Sequence, residues 1–247
     1  MAKLFFNRVP ADCAKFTRRF NKSQIVFHKP YINFTLVDQP TRNQSILAKY
    51  IAAPAVPLIS EWIYHFNFKL KIKKSRQSRY GDYHPPVSGR NHLITINNDL
   101  NPHAFLLTLV HEIAHLLCFE RFGNRVKPHG QEWKECYKEL MRPFMRLDIF
   151  PDDVRAAVIG YMRDPGASSC SDDQLMRVMK RYDHPSDLVH LETLPLHSEF
   201  IYNERSFIKG AKRRTRFECR EKGTSHIYLF AALAEVKKGA TAETKAV

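Results

Sequence analysis

Paired cysteines are missing from this chain of 247 residues. Its five cysteines are odd in number and far apart, and they contain no C-x-x-C pair. Such a pattern argues against a disulfide framework. We therefore interpret them as reduced, mostly structural thiols. They are Cys13, Cys118, Cys136, Cys170 and Cys219.

Long apolar runs are also missing. No stretch approaches the ~18 consecutive apolar residues that a membrane-spanning helix requires. The opening segment, MAKLFFNRVPADC, has too short an apolar run for a secretory signal. We therefore expect a cytoplasmic protein without a membrane partner.

The chain has few acidic residues relative to basic ones. It contains 25 aspartates and glutamates against 39 lysines and arginines, which gives a formal net charge of +14. Such a field attracts polyanions, and nucleic acid is the obvious one. The alternative is that the charge only keeps the protein in solution. Two local clusters of basic residues, at residues 69–79 and 209–216, favour the first interpretation. The candidate nucleic-acid contacts are Lys69, Lys71, Lys73, Lys74, Arg213, Arg214 and Arg216.

Hydrophobic periodicity divides the rest of the chain into elements. FKLKIKK alternates apolar residues with lysines, which predicts a strand with a basic outer face, and HLITIN predicts a second strand. The polar residues 75–91 between them are predicted to form a turn region. A long helix is predicted from His103 to Phe122, after the start signal Asn101-Pro102. Further helices are predicted over residues 56–66, 130–146 and 174–182 and from Pro151, and short strands follow from Glu199.

The pentapeptide HEIAH, residues 111–115, matches the pattern H-E-x-x-H. His111 and His115 are four residues apart, so they project from one side of a helix and can hold one metal ion. At ~100° per residue Glu112 lies beside this pair, close enough to activate water. A chance match has an expectation of roughly 3%. The opposite arc is apolar and should anchor the helix in a core; it comprises Leu106, Leu109, Val110, Ile113, Leu116 and Leu117.

A third ligand is needed, because a catalytic zinc site usually has three protein ligands and one open position. The metzincin pattern is excluded, since it needs Gly at 118 and His at 121, where this chain has Cys118 and Arg121. The residues leave two alternatives. Glu135 or Glu139, on the following helix, would complete a gluzincin-like set. His129, which stands after the return loop, would face back across the gap from the entrance of that helix.

The segments TLVHEIAH and PHGQEW together resemble the SprT-like metalloproteases, whose relatives include the Spartan DNA-protein crosslink proteases. The preceding strand ITIN and the loop before it fit the same family, and the resemblance covers about Ile46 to Val236. It implies zinc on His111, His115 and His129, with Glu112 as the general base.

One departure from that family concerns the end of the chain. Many members end in a zinc ribbon with four cysteines, whereas the matching part here keeps only Cys219 and has Lys222 where a partner would stand. A second, structural zinc is therefore not expected. The strands could still form a ribbon-like sheet, whose basic edge at Arg213, Arg214 and Arg216 either contacts nucleic acid or protects the sheet margin.

The predicted fold is α+β, with a zincin-like helical core that contains a small antiparallel sheet, followed by a C-terminal antiparallel β meander resembling a cysteine-poor zinc ribbon. Four segments are predicted. They are a loosely ordered basic extension (1–44), a SprT-like metalloprotease domain (45–195), the meander (196–236) and a disordered tail (237–247).

The function predicted from these features is that of a zinc metallopeptidase with one catalytic ion, acting on a protein substrate met on DNA. Two alternatives stay open. One is a nucleic-acid-binding or transcription-associated protein with a structural zinc site, which a closed set of four protein ligands would favour. The other is a general peptidase without a nucleic-acid partner.

Overall fold

The structure is a computed structural model, and it describes residues 42–76, 79–87, 89–166 and 172–239. Within these residues, helices combine with a three-stranded sheet and a six-stranded sheet, so the predicted mixed α+β class is confirmed. Most of the predicted N-terminal extension, residues 1–41, lies outside the described residues, as do Cys13 and Cys170.

Six α-helices form within the described residues. The predicted helix over residues 130–146 is shorter than expected, because it ends at Met141 and only a 3-10 turn, Phe144–Arg146, follows Pro143. Proline removes a backbone donor and so interrupts a helix at that point. The helices are α1 (Arg42–Leu47), α2 (Val56–His65), α3 (Pro102–Phe122), α4 (Gln131–Met141), α5 (Asp152–Tyr161) and α6 (Asp173–Lys180).

Nine strands form two separate sheets within the described residues. The first three strands make one sheet and the last six make the other. They are β1 (Lys69–Lys73), β2 (Gly81–His84), β3 (Leu93–Asn97), β4 (Leu188–His190), β5 (Glu199–Tyr202), β6 (Arg205–Arg213), β7 (Arg216–Glu221), β8 (Ile227–Ala231) and β9 (Glu235–Lys238).

The first sheet has the order β1-β3-β2 and is mixed, because β1 runs parallel to β3 and β2 runs antiparallel to it. The prediction of a small antiparallel sheet was therefore wrong in its strand directions. Strand β2 lies inside residues 75–91, which were predicted to be a turn region. Its sequence, GDYH, contains glycine and aspartate, which are depleted in strands, and this explains why the pattern did not indicate one.

The second sheet has the order β4-β9-β5-β6-β7-β8 with antiparallel pairing throughout. Strands β5 to β8 form the predicted meander. The predicted bounds of the meander differ from those of the sheet at both ends. Strand β4 belongs to the sheet although it precedes residue 196, and β9 includes Lys237 and Lys238, which were assigned to the disordered tail. Residues 240–247 lie outside the described residues.

Helix α3 is the centre of the first half of the fold. Asn101 caps its start, because the side-chain oxygen accepts hydrogen bonds from the backbone N–H groups of His103 (3.1 Å) and Ala104 (2.9 Å). Gly123 ends it with a φ of 61°, a left-handed conformation that glycine adopts without strain. The predicted helix is thus confirmed at both ends.

Two hydrophobic cores accompany the two sheets. The larger core runs from Leu47 to Met179 and packs α3 against β3 and α4, and the whole predicted apolar arc of α3 is buried in it. The smaller core runs from Leu191 to Val236 and lies against the second sheet. The boundary at residue 195 between two predicted domains stays a prediction.

Among the described residues, one helical stretch, Pro102–Arg125, is long and apolar enough by composition to cross a membrane. Of its most apolar window, 72% is buried inside the protein. Core helices of soluble proteins pass the same test, and this placement is that of a core helix.

Candidate metal centre

Two histidines of α3 and one from the turn before α4 meet at one place. The Nε2 atom of His111 lies 3.3 Å from that of His115 and 3.2 Å from that of His129. The ligand-capable atoms of all three residues lie within 4.8 Å of one another. The sequence-predicted ligands are therefore brought to one point, and that point could hold a metal ion.

The spacing of these nitrogen atoms fits a tetrahedral ion. Zinc binds histidine nitrogen at about 2.0–2.1 Å, which places two nitrogens of a tetrahedral site roughly 3.3–3.4 Å apart. The two measured separations, 3.3 Å and 3.2 Å, are close to that value. A donor set made of imidazoles also suits zinc, copper and nickel, so the geometry shows a possible metal site and not the identity of the metal.

Backbone geometry turns His129 toward the other two histidines. His129 has a φ of 57°, a left-handed conformation that costs a non-glycine residue about 1–3 kcal/mol. Directly after it, Gly130 caps α4, and its N–H donates to the carbonyl of Lys127 (2.9 Å). This tight turn places the ring of His129 across from α3, as expected for a residue at a helix entrance.

Burial keeps the three imidazoles neutral. Burial, followed by the neighbouring His115 and His129, lowers the pKa of His111 to about 2. Burial and then His129 lower the pKa of His115 to about 3, and burial lowers the pKa of His129. Neutral imidazole is the form that binds metal ions, so the site does not have to lose protons first.

The carboxyl group of Glu112, the residue that follows His111 on α3, is buried. Burial raises the pKa of Glu112 to about 8, and Asp82 adds to this rise, while Arg76 and Arg79 oppose it. A carboxyl with a pKa near neutral pH is suited to accept and return a proton. The neighbourhood of Glu112 thus comes largely from β2 and the loop before it, which the sequence did not link to the site.

Trp133 forms the floor of the site. It is 0% exposed, and its ring centroid lies 4.5 Å from that of His111, 5.2 Å from that of His115 and 4.7 Å from that of His129. Tyr137, one turn later on α4, packs against Trp133 with its ring tilted by 31° and donates its hydroxyl to the carbonyl of Leu107 in α3 (3.1 Å). One indole therefore supports all three imidazoles and is itself anchored to α3.

A hydrogen-bonded chain of three side chains lies on the other side of His115, and sequence reasoning missed it. The Tyr83 hydroxyl lies 2.9 Å from Nδ1 of His92, whose Nε2 lies 2.9 Å from Oε1 of Glu120. The Tyr83 ring stands parallel to the His115 ring, at 7° and 6.4 Å between centroids. Burial raises the pKa of Tyr83, so its hydroxyl stays protonated.

The glutamates considered as third ligands lie elsewhere. Glu135 is exposed and accepts a hydrogen bond from Gln131 (3.1 Å). Both carboxylate oxygens of Glu139 accept hydrogen bonds from Arg121, at 2.8 Å and 2.9 Å, which joins α4 to α3. Neither belongs to the histidine group, so among the alternatives only His129 is brought to the site.

The buried cysteines pack inside the two cores. Cys118 and Cys136 lie between α3 and α4, and Cys219 lies in the second core. All three are free thiols, as predicted. Burial raises the pKa of Cys136 to about 12 and also raises that of Cys219, so these thiols stay protonated. The expectation that Cys219 binds no second zinc stays a prediction.

The first basic cluster lies on β1 and the loop after it. Lys69, Lys71 and Lys73 alternate with the buried Leu70 and Ile72, so the predicted basic outer face is present, and Lys74 follows it as an exposed residue. The two arginines of this cluster are engaged by Asp82. Its carboxylate accepts a hydrogen bond from Arg79 (3.1 Å) and lies 4.0 Å from Arg76.

The second basic cluster lies at the turn between β6 and β7. Arg213, Arg214 and Arg216 are exposed there, and Arg213 pairs with Glu218 at 2.9 Å. Lys209, which the sequence placed in the same cluster, is instead 3% exposed, and its Nζ donates to the carbonyls of Glu192 and Leu194. The basic surface of this hairpin is therefore smaller than the sequence suggested.

Comparisons with known proteins identify the region around the histidines. The model of the SprT-like family matches residues 61–153. Protein SprT of Shewanella oneidensis is 51% identical over 43 residues, which is 17% of this chain and 27% of that protein. Protein SprT of Pseudomonas fluorescens is 47% identical over 32 residues (13% and 20%), and that of Pseudomonas aeruginosa is 52% identical over 27 residues (11% and 16%). No solved structure matches the chain.

The aligned parts cover 27% or less of these curated relatives, and the family model ends at residue 153. The likeness of the second sheet to a zinc ribbon therefore stays a prediction. Within residues 61–153 lie α3, α4, all three histidines and Glu112. Residues 61–153 therefore form a SprT-like domain.

Proposed function

We propose that this protein is a zinc metallopeptidase in which His111, His115 and His129 bind one zinc ion and Glu112 is the general base. The observation that carries the proposal is the convergence of three imidazole nitrogens, with His111 at 3.3 Å from His115 and 3.2 Å from His129, together with the buried carboxyl of Glu112, which follows His111 on α3. The match of residues 61–153 to the SprT-like family model supports it.

The metal ligands, Glu112 and Trp133 have separate roles in this mechanism. When bound, a zinc ion supplies Lewis-acid chemistry, because it acidifies water and polarises a peptide carbonyl. Glu112 accepts the proton of the attacking water and passes it to the leaving amine. The positive charge of an ion held by the histidines would favour the carboxylate form of Glu112, which is the form that accepts the proton. Trp133 keeps the three rings in place.

The rival with a purely structural zinc site needs a fourth protein ligand. In the part of the chain that the structure describes, the group that could hold the ion consists of the three histidines alone. A site with three protein ligands supports the peptidase over that rival.

The proposal is tested by Glu112→Gln, with Glu135→Gln as the matched control on an exposed part of α4. The first variant should bind zinc as the wild type does and lose at least ~100-fold in cleavage rate, since general acid–base catalysis contributes that much. The control should keep both properties. Cleavage by Glu112→Gln at the wild-type rate would falsify the assigned role.

We also propose that the substrate is a protein met on DNA, in the cytoplasm. The support is the net charge of +14, the basic outer face of β1, the exposed arginines at the β6–β7 turn, and the resemblance to a family that includes Spartan. Added DNA should stimulate proteolysis at low salt, and high salt should cancel the effect, because binding to phosphates releases counterions. Without stimulation at low salt, the protein would be a general peptidase.

A further inference from the structure

At Gly81, strand β2 lies so close to Glu112 that a residue with a β-carbon does not fit. Gly81 pairs with Ile96 of β3 and faces α3. A β-carbon at this position would lie 2.6 Å from Oε1 and 2.9 Å from Cγ of Glu112, and 2.7 Å from Cγ2 of Thr108. Real β-carbons do not approach other heavy atoms to under 3.0 Å. The Glu112 side chain thus occupies space that any residue other than glycine would fill.

Glycine is required here by the close packing and not by the backbone conformation, because Gly81 does not have a left-handed φ. By lacking a β-carbon, Gly81 leaves a niche for the Glu112 side chain. Around the niche, the strand is held in place by its register with β3, in which Asp82 opposes Thr95 and Tyr83 opposes Ile94.

The neighbours of Gly81 differ in how easily they can move. Thr108 is β-branched and lies in the middle of α3, where such a side chain has few allowed rotamers. Glu112 has a longer, unbranched side chain whose carboxylate is the atom group nearest the niche. When the niche is filled, the Glu112 carboxylate is the group that moves first.

We propose that Gly81 is a positioning residue for Glu112, and that the niche it leaves fixes the carboxylate beside the metal-binding histidines. The catalytic part of this inference rests on the proposed function. The histidines themselves lie against Trp133 on α4, so filling the niche leaves their support unchanged.

The test is Gly81→Ala, with Gly160→Ala as the control, since a β-carbon at Gly160 in α5 meets nothing within 4 Å. We expect Gly81→Ala to lower kcat ~10- to 100-fold, because small misplacements of a reacting group have that effect. KM and zinc content should stay as in the wild type. Gly160→Ala should leave all three unchanged. A wild-type kcat in a folded Gly81→Ala protein would overturn the inference.

Destabilisation of Gly81→Ala would be separated from displacement of Glu112 by the double variant Gly81→Ala/Thr108→Ser. The serine removes the methyl group that lies 2.7 Å from the added carbon and leaves the conflict with Glu112. The double variant should regain stability and keep the low kcat. Recovery of kcat together with stability would show that Thr108, and not Glu112, transmits the effect.

A readout without catalysis distinguishes failure of this inference from failure of the proposed function. The carboxyl ¹³C resonance of Glu112, assigned by its absence in Glu112→Gln, should shift in Gly81→Ala and not in Gly160→Ala. If the wild type shows no peptidase activity, the proposed function is wrong, and the shift of this resonance still tests whether Gly81 positions the Glu112 carboxyl. If the resonance does not move in Gly81→Ala, Gly81 does not position that carboxyl.

Discussion

The Nε2 atoms of His129 and His111 lie 3.2 Å apart, although the residues are 18 positions apart in the chain and His129 lies in the turn before α4. The contact depends on the left-handed backbone of His129, which is strained without a compensating interaction. Shared coordination of an ion would supply such an interaction.

Replacing His129 with alanine should weaken zinc binding strongly, because it leaves two ligands on α3. The decrease in affinity should exceed the roughly 10- to 100-fold that removal of an outer-shell partner costs. Competition with a chromophoric chelator measures it. His184→Ala, at an exposed loop position, is the matched control and should bind zinc as the wild type does. Unchanged affinity in His129→Ala would exclude this residue as a ligand.

Replacing Asn101 with alanine should destabilise the protein by about 1–3 kcal/mol, since the cap of α3 alone contributes about 1 kcal/mol. The side-chain amide also donates to the Met179 carbonyl (3.1 Å) and to Asp183 (2.7 Å) at the end of α6, and alanine removes these hydrogen bonds as well. Urea unfolding with an unchanged m-value measures the difference. Asn124→Ala, at an exposed position, should change stability by less than about 0.5 kcal/mol. Equal stability of the two variants would contradict the role of the cap.

Acid should destabilise the protein partly through His190, which is 6% exposed. Burial and then Lys180 lower its pKa, while nearby carboxylates oppose the shift. Protonation is therefore easier in the unfolded chain, and stability is lost as the pH falls below the unfolded pKa of about 6.5. The carboxylates are those of Glu235, Glu192 and Asp183.

The measurement compares metal-free wild type with His190→Gln in urea between about pH 7.5 and pH 5. The wild type should lose more stability over this range than the variant does. Identical pH profiles would show that His190 does not contribute.

Removing charge from β1 should weaken binding to DNA if its outer face lies against phosphates. Lys71→Gln/Lys73→Gln should reduce the slope of log affinity against log salt by about 0.7–0.9 for each phosphate that is no longer neutralised. The control, Lys237→Gln/Lys238→Gln on β9, removes the same charge from another strand and should keep the slope. Equal slopes in the two variants would remove β1 from the interface.

The sequence predicted the helix of the site well, because α3 is long, strongly periodic and bounded by a cap and a glycine. It also predicted that His129 would face the other histidines, since a helix end, a short return loop and a new helix leave few alternatives. The strand pattern of β1, with lysines outside and Leu70 and Ile72 inside, was equally readable.

The surroundings of the site were not predictable in the same way. Gly81 and Asp82 weaken the strand signal of β2, and nothing local indicates that this strand lies against Glu112. Tyr83 and Glu120 meet through His92 only because β2, β3 and α3 pack together. The parallel pairing of β1 with β3 likewise depends on contacts between distant segments, which a periodicity does not encode.

The hydrogen bonds of Asn101 give the histidine helix a mechanical link to the far half of the protein. Asn101 holds the end of α6, and Lys180 of α6 holds Glu235 of β9. These two contacts connect the first turn of α3 to the six-stranded sheet. The helix that carries His111 and His115 is therefore anchored at its start, through α6, to a strand that lies outside its own core.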